Sequence, residues 1–231
     1  MISHKHQCIF IHIPKCAGTS FENVLGHFDG HHGREGQDHR SIRMIQEPYS
    51  FVDVLSNVEN LKDYIRRQRE RFRTHANPNN NFTLSSDEYK RYYKFTIVRN
   101  PWLRAHSWYR NAMRDKIHQQ NYGYPPAISF TDFMKKYAGH GYLRPQTYWL
   151  KQYNGKIELD FIGKFEALDS AYRTVMQELN IDGIKELPHK IEGKKSNISD
   201  DFTDEIIDFI AQFYEEEIQL FNYSFDYTEI A

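Results

Sequence analysis

A chain of 231 residues is long enough to bury one good hydrophobic core, and its 15% aromatic content supplies bulky side chains for that core. The mean hydropathy of −0.76 and the 26% of charged residues argue against any membrane span. A net charge of −1 argues against bulk binding of nucleic acid, so an anion-binding site has to be local.

The first predicted strand, Cys8–Ile13, leads into Pro14–Ser20, which reads PKCAGTS. Apolar residues then recur at helical spacing, at Phe21, Val24, Leu25 and Phe28. A strand, a tight turn and a helix N-terminus in this order point backbone N–H groups and the positive end of a helix dipole at one spot, where an anion binds. Lys15 adds a full charge to that spot, and Gly18 lets the backbone approach closely.

The Walker A pattern is absent from this segment, because Lys15 precedes Gly18 and no earlier glycine stands where that pattern needs one. We therefore predict a phosphate-bearing ligand that is bound differently from ATP. Cys16 is interpreted first as a small side chain tolerated in the loop and second as a reactive thiol. Cys8 is predicted to be a core residue, and neither cysteine has a metal-ligand spacing.

Several histidines follow the predicted first helix, at His27, His31, His32 and His39. Their spacing is irregular and no cysteine joins them, which disfavours a metal site. A histidine suits general base catalysis because its ordinary pKa is about 6.5. The alternative is a surface or capping histidine.

A dense basic run lies further along the chain, at Arg66, Arg67, Arg69, Arg71 and Arg73. On a helix these positions spread around much of the circumference, which favours a solvated, salt-bridged helix. The alternative is a groove for an anionic polysaccharide, with nearby tyrosines stacking on sugar rings. Two polar stretches, Asn77–Asn81 and Glu192–Asp201, are predicted to be loops or disordered turns.

The second predicted strand, Phe95–Val98, is followed by RNPWLRAHS at positions 99–107. Pro101 suits the first turn of a helix. Arg99 is therefore expected at the carboxyl end of a strand, and Ser107 about two turns into the helix. A guanidinium and a hydroxyl placed in this way can hold a further phosphate.

The remaining pattern adds a strand at Leu159–Ile162 and helices through Trp102–Ala112, Tyr172–Leu179 and, as one long last helix, Ile206–Leu220. Strands that alternate with helices predict an α/β class, here a P-loop-like three-layer fold with a central parallel sheet flanked by helices, in a single domain over 1–231. In such sheets ligands bind at the carboxyl ends of strands, where both phosphate segments are expected.

The segments Pro14–Ser20 and Arg99–Ser107 together resemble the sulfotransferases that use 3′-phosphoadenosine 5′-phosphosulfate (PAPS). The first resembles that family's 5′-phosphosulfate loop, and the second resembles its 3′-phosphate site with an Arg-then-Ser pair. The resemblance is strongest to the carbohydrate-type branch, which includes heparan 2-O-sulfotransferases and bacterial relatives. It extends to three further segments, Arg144–Leu150, Phe161–Glu166 and Phe221–Tyr223.

This resemblance implies that the protein moves a sulfuryl group from PAPS to an acceptor hydroxyl, on a glycan or another molecule. The residues implied to bind the donor are Pro14, Lys15, Cys16, Ala17, Gly18, Thr19, Ser20, Arg99, Ser107 and Lys195. Lys195 belongs to a loop with Lys194 and Ser196 that loosely matches the family's C-terminal cofactor loop. Lys15 is also implied to be catalytic, because it stabilises charge on the leaving phosphate oxygen.

The implied base is His39, since Asp38–Ile42 resembles the family's short His-then-Ser segment. His31, His32 and Glu35 are the substitutes for this role. Sulfuryl transfer needs no metal, so none is expected, and nucleic acid is not an expected partner.

Animal relatives in the family are Golgi membrane proteins, whereas the first strand here begins by about Cys8, which we interpret as leaving no room for a signal peptide or anchor. We therefore expect a cytoplasmic protein of the bacterial type. Two alternatives stay open. A small kinase would need a magnesium ligand, for which Asp160 is a poor candidate, and a polysaccharide-binding module would need the arginine run but no complete donor site.

Overall fold

A four-stranded sheet forms the centre of the first part of the molecule in the computed structural model, which describes residues 1–33, 36–181 and 199–226. Its strands, in spatial order, are β1 (Ile2–Ser3), β2 (Cys8–Ile11), β3 (Tyr93–Val98) and β4 (Phe161–Lys164). Strands β2, β3 and β4 are parallel, and Phe95 lies opposite both Phe10 and Phe161. The short β1 is antiparallel to β2.

The described helices connect and follow these strands. They are α1 (Gly18–Val24), α2 (Ile42–Ile45), α3 (Phe51–Leu55), α4 (Val58–Arg71), α5 (Ser86–Arg91), α6 (Pro101–Arg114), α7 (Lys116–Tyr122), α8 (Phe130–Tyr137), α9 (Gln146–Leu150), α10 (Leu168–Glu178), α11 (Asp204–Phe213) and α12 (Glu215–Phe221). Short 3₁₀ turns occur at Pro78–Asn81, Gly141–Leu143, Phe165–Ala167 and Ser199–Asp201.

The described residues divide into two compact units. The first unit contains those of Met1–Val98 and Thr147–Ile191, and it includes the whole sheet. The second contains those of Arg99–Gln146 and Glu192–Ala231, and it is built from helices and turns. The expectation of a single domain over 1–231 stays a prediction.

The core of the first unit is an aromatic cluster on one face of the sheet. The rings of Phe10 and Phe95 stack across the β2–β3 pair at 4.9 Å, and Phe21 of α1 lies 5.4 Å from Phe10. Tyr172 of α10 meets Phe21 edge to face at 5.8 Å. These contacts fix α1 and α10 against the sheet, and rings at such distances add about 0.5–1.5 kcal/mol per pair beyond their burial.

The core of the second unit lies between α6, α8 and α11. It is formed by buried apolar side chains that include Trp102, Trp108, Phe130, Phe133 and Ile206. Trp102 also donates its indole N–H to the carbonyl of Ile207 at 3.0 Å. The buried face of α6 therefore ties this helix to the C-terminal helices of its own unit.

The predicted α/β class, with a sheet flanked by helices, is confirmed. Three strand predictions are correct in place and differ by two residues at one end or at both. The antiparallel β1 was missed, because two residues show no periodicity.

One prediction about the rest of the chain was wrong. The last helix is two helices, since Tyr214 leaves the helical conformation (φ −105°, ψ 23°) and donates its buried hydroxyl to the carbonyl of Leu143 at 2.6 Å. The stretch Asn77–Asn81, predicted as a loop or a disordered turn, is an ordered turn in which the buried Asn77 caps the 3₁₀ helix Pro78–Asn81.

Candidate active site

The loop after β2, residues Pro14–Ser20, has an uncommon backbone conformation. Lys15 and Ala17 have φ of 70° and 60°, and they are two of five described non-glycine residues with positive φ. Each such residue costs about 1–3 kcal/mol, and such residues cluster at ligand clamps and active sites. Left-handed residues that alternate with ordinary ones turn successive N–H groups toward one concavity, which is an anion-binding arrangement.

Gly18 is required in this loop by a neighbour on the protein side. A Cβ atom at position 18 would lie 1.9 Å from Cδ2 of the His12 ring, so no larger residue fits. His12 follows β2 directly and is buried. The sequence analysis assigned Gly18 to the approach of the anion, which stays a prediction; the structure shows a separate reason for the glycine, the neighbouring His12 imidazole.

The buried Glu22 of α1 lies behind the loop. Its Oε1 is 3.0 Å from Nδ1 of His12 and accepts the backbone N–H of Asp38 at 2.9 Å. Burial raises the pKa of Glu22 and lowers the pKa of His12 to about 3, because both charged forms lose their hydration. Sequence reasoning missed this pair; the signal available was a glutamate one turn after the loop.

His39 is held by its ring and by its backbone. Its Nδ1 lies 3.1 Å from the carbonyl oxygen of His12, and the two rings are 4.2 Å apart. A carbonyl only accepts, so Nδ1 carries the proton and Nε2 carries the lone pair that a general base uses. Trp149 of α9 donates its indole N–H to the His39 carbonyl at 3.3 Å, which fixes the backbone as well.

The residues that flank His39 are bound on both sides. Asp38 is buried and accepts three hydrogen bonds from the Arg40 side chain, between 2.6 and 3.0 Å. Burial alone would raise the pKa of Asp38, but the Arg40 guanidinium holds that pKa well below its ordinary value. Ser41 donates to the buried carboxylate of Asp63 at 3.0 Å. This segment is therefore preorganised, as a catalytic position requires.

Burial, followed by the neighbouring His12, lowers the pKa of His39 to about 3. The ring is consequently neutral at physiological pH, as a base must be before it accepts a proton, but so low a pKa makes it a weaker base than a histidine of ordinary pKa. An ordinary histidine pKa was expected at this position. The shift could not be read from the sequence because the two rings meet only in the folded chain.

The other histidines after α1 have different surroundings. His27 is buried, and its Nε2 lies 2.9 Å from Oδ1 of Asn80 and 3.1 Å from the carbonyl of Gly36, so it has a structural role. His31 is half-buried and His32 is exposed. Of the substitutes for the base, Glu35 lies outside the described residues.

Arg99 belongs to the second unit, and its backbone is clamped by one side chain. Gln146 accepts the Arg99 N–H through Oε1 at 2.8 Å and donates through Nε2 to the Arg99 carbonyl at 2.8 Å. Gln146 in turn donates from Nε2 to the buried Glu217 of α12 at 3.0 Å and from its backbone N–H to the same carboxylate. Sequence reasoning noted the segment that contains Gln146 but assigned this side chain no role.

The N-terminus of α6 follows Arg99 directly. Asn100 accepts the N–H of Trp102 at 3.1 Å as an N-cap and donates to the carbonyl of Ser224 at 3.1 Å. Pro101 occupies the first helical turn, as predicted.

Ser107 is half-buried in α6. The next residue toward the N-terminus, His106, lies with Nε2 2.8 Å from a carboxylate oxygen of Asp201. The pKa of His106 is lowered, mainly by burial. Arg99 and Ser107 therefore belong to the same compact unit. Arg99 lies just before α6, and Ser107 lies within it.

The two cysteines and the C-terminal lysines complete the predicted residues. Cys16 is buried, with Sγ 3.8 Å from the carbonyl of Pro14, which supports its interpretation as a small side chain tolerated in the loop. Cys8 is buried in the core, as predicted. Lys194, Lys195 and Ser196 lie outside the described residues. In the parts of the chain that the structure describes, no group of three or more His, Cys, Asp or Glu side chains is arranged to hold a metal ion.

Comparison with models of known families identifies the family to which the chain belongs. The model of the sulfotransferase family matches residues 1–224, so the chain belongs to the sulfotransferase family. No curated protein and no solved structure matches it. Among the described helices, none has both the length and the apolar character needed to cross a membrane.

Proposed function

We propose that this sulfotransferase uses PAPS as its sulfuryl donor and a carbohydrate hydroxyl as its acceptor. Family membership supports sulfuryl transfer in general. The observation that carries the proposal further is the tautomer of His39, whose Nδ1–H is committed to the His12 carbonyl and whose Nε2 carries the lone pair.

The proposed donor-binding site includes the loop Pro14–Ser20. Its backbone conformation and the charge of Lys15 suit the phosphosulfate of PAPS, with the hydroxyls of Thr19 and Ser20 as further ligands. We assign Arg99 and Ser107 to the 3′-phosphate on the basis of the family resemblance. Lys195 is assigned to the donor on the same basis.

The proposed reaction is an in-line displacement at sulfur. The acceptor oxygen forms a new S–O bond while the S–O bond to the 5′-phosphate breaks, and the acceptor proton passes to Nε2 of His39. Lys15 stabilises the negative charge that grows on the departing phosphate oxygen. No step in this scheme requires a metal ion. The carbohydrate acceptor is proposed from the resemblance to the carbohydrate-type branch. A cytoplasmic location is proposed from the likeness to the bacterial relatives rather than to the animal members, which are Golgi membrane proteins.

The kinase alternative is weakened by the position of Asp160. This residue precedes β4, and its carboxylate accepts the backbone N–H of Lys94 at 2.7 Å. It therefore lies at the amino end of a strand that is parallel to β2 through β3, whereas the loop Pro14–Ser20 follows the carboxyl end of β2. A magnesium ligand for a phosphate on that loop belongs at the carboxyl ends.

Isothermal titration calorimetry tests the donor assignment. We expect adenosine 3′,5′-bisphosphate, the product nucleotide, to bind without metal and ATP with magnesium to bind weakly. Tight binding of ATP with magnesium and no binding of the bisphosphate would overturn the assignment in favour of a kinase. Binding of neither nucleotide, together with binding of an anionic polysaccharide, would favour the non-catalytic alternative.

Transfer from radiolabelled PAPS to a panel of polysaccharides and small phenols then tests the acceptor. The proposal predicts label on a polysaccharide that His39→Ala does not produce. Label on phenols alone would retain the donor assignment and remove the carbohydrate acceptor.

A further inference from the structure

The helix α4 has its polar and apolar faces reversed. Its buried residues are Asn60, Asp63 and Arg67, at positions i, i+3 and i+7. Its exposed face presents an apolar stripe instead, at Val58, Leu61, Ile65 and, just beyond the helix, Phe72. A surface helix ordinarily turns its apolar stripe toward the core.

The buried polar face has a structural explanation. Asn60 donates to the carbonyls of Asp53 and Tyr153 at 2.8 and 2.7 Å, and Asp63 accepts from Ser41 and from Tyr148. Arg67 donates to the carbonyl of Gln46 and pairs with Glu47. These polar groups attach α4 to its own unit, and the apolar stripe lies on the exposed side of the helix.

The stripe continues onto α3. Phe51 of α3 lies 5.9 Å from the ring of Tyr64 on α4. Two neighbours in α3 are among the most exposed apolar side chains described, Val52 at 79% and Leu55 at 69%, while Phe72 reaches 89%. Together they form one apolar face, which we call the α3–α4 face: Phe51, Val52, Leu55, Val58, Leu61, Ile65 and Phe72. Large exposed apolar patches mark sites of protein or membrane contact.

The charges around the α3–α4 face are predominantly basic. Between Val58 and Arg73 the chain carries six basic and three acidic residues, a net charge of +3. Four of the exposed basic side chains pair with carboxylates: Lys62 with Glu59 at 3.0 Å, Arg66 with Asp63 at 3.6 Å, and Arg71 with Glu47 and Arg73 with Glu70 at 3.5 Å each. The whole chain has a net charge of only −1, so this basic excess is local.

We propose that the α3–α4 face docks the protein on an anionic lipid bilayer. The adjacent apolar and basic stripes match what a helix needs to lie in a bilayer interface, with apolar groups at the acyl boundary and Lys or Arg at the headgroups. A sulfated polysaccharide would pair with the arginines but would leave Phe72 and Val52 in water. This proposal goes beyond sulfuryl transfer and does not depend on the proposed donor or acceptor.

Cosedimentation of the full chain with vesicles tests the proposal. We expect binding to vesicles of equal parts phosphatidylcholine and phosphatidylglycerol, weak binding to phosphatidylcholine alone, and weaker binding as salt is raised. Phe72→Ser should reduce the partition coefficient about ten- to a hundredfold, the value of one buried aromatic side chain. Lys62→Glu with Arg69→Glu should reduce it about twentyfold or more, at about fivefold per basic residue removed.

Matched controls use equal changes elsewhere on the surface. Leu220→Ser alters an exposed apolar residue of α12, and Lys90→Glu with Arg91→Glu reverses two exposed charges of α5. Both controls should keep full vesicle binding. All three altered residues of the test variants are exposed, so circular dichroism should show the wild-type fold.

Four results would overturn the proposal. The first is no cosedimentation with anionic vesicles, and the second is equal binding by the test and control variants. The third is a dimer in sedimentation velocity that Phe72→Ser dissociates, which would make the face a contact between two copies of this chain. Heparin binding that is lost in the charge variant but kept in Phe72→Ser would also exclude the lipid in favour of a polysaccharide.

Discussion

The loop Pro14–Ser20 and the segment at Arg99 both follow a strand of the sheet, but they are positioned by different physical means. The first is positioned by its own backbone, with left-handed residues at Lys15 and Ala17 and a glycine fitted against His12. The second is positioned by a side chain distant in sequence, since Gln146 binds both backbone groups of Arg99.

This difference suggests a division of roles, with catalysis in the first region and nucleotide binding in the second. Under the proposed mechanism, charge and protons move at the loop and at His39, whereas Arg99 would bind the nucleotide with a guanidinium on a clamped backbone. We expect changes in the first region to lower turnover and changes in the second to lower nucleotide affinity. The predictions below test that division.

The largest effect is expected for His39→Ala, which should lower transfer by about 10²–10⁴ while leaving nucleotide affinity nearly unchanged. The reason is that only the proton acceptor is lost. Steady-state kinetics and calorimetry on the same preparation measure both quantities. His31→Ala and His32→Ala are the controls, and activity retained in His39→Ala but lost in a control would move the base to that residue.

The low pKa of His39 sharpens this prediction. Since that pKa is about 3, the acidic limb of the pH–rate profile should lie well below the ordinary histidine value of about 6.5. A limb near pH 6.5 that disappears in His39→Ala would keep His39 as the base but contradict the desolvation that lowers its pKa.

Lys15→Ala should lower kcat by about 10²–10³, because the charge that Lys15 meets grows in the transition state. Its effect on the dissociation constant of adenosine 3′,5′-bisphosphate should be clearly smaller. Lys15→Arg is the matched control, since it keeps the charge and changes the geometry. If Lys15→Ala lowered only the nucleotide affinity, Lys15 would be a binding residue like Arg99, and the two regions would not differ in role.

Arg99→Ala should weaken binding of adenosine 3′,5′-bisphosphate by about ten- to a hundredfold, the value of a charge-assisted hydrogen bond. Binding of adenosine 5′-phosphate should change less, since that nucleotide lacks the 3′-phosphate. Gln146→Ala should act in the same direction with a smaller loss, because it frees the Arg99 backbone but keeps the guanidinium. Equal losses for the two nucleotides would remove Arg99 from the 3′-phosphate.

The last prediction concerns stability against pH rather than activity. A histidine whose folded pKa is about 3 binds fewer protons than its unfolded form between about pH 6.5 and 3, so stability must fall as the pH falls through that window. The slope should be about 1.4 kcal/mol per pH unit for each such histidine. Urea unfolding at several pH values should show a shallower slope for His39→Asn, and an unchanged slope would mean that His39 is exposed in solution.

Several features of the molecule could be predicted from the sequence because they depend on residues that are neighbours in the chain. Patterns that depend on neighbours in the chain, such as the strand before Lys15 and the proline after Asn100, report local backbone preference. These patterns predicted β2, β3, the start of α6, the burial of Cys8 and the α/β class. The family followed from two short motifs, and the family match over residues 1–224 confirmed it.

The tertiary structure decided what depends on residues far apart in the chain. The Nδ1–H of His39 is fixed by the His12 carbonyl, and Arg99 is clamped by Gln146, at sequence separations of 27 and 47. The reversed faces of α4 belong to the same class, because the partners that bury Asn60 and Asp63 include Tyr153 and Tyr148. Burial and pairing of this kind arise only when the chain folds, so periodicity and composition cannot encode them in any single stretch of sequence.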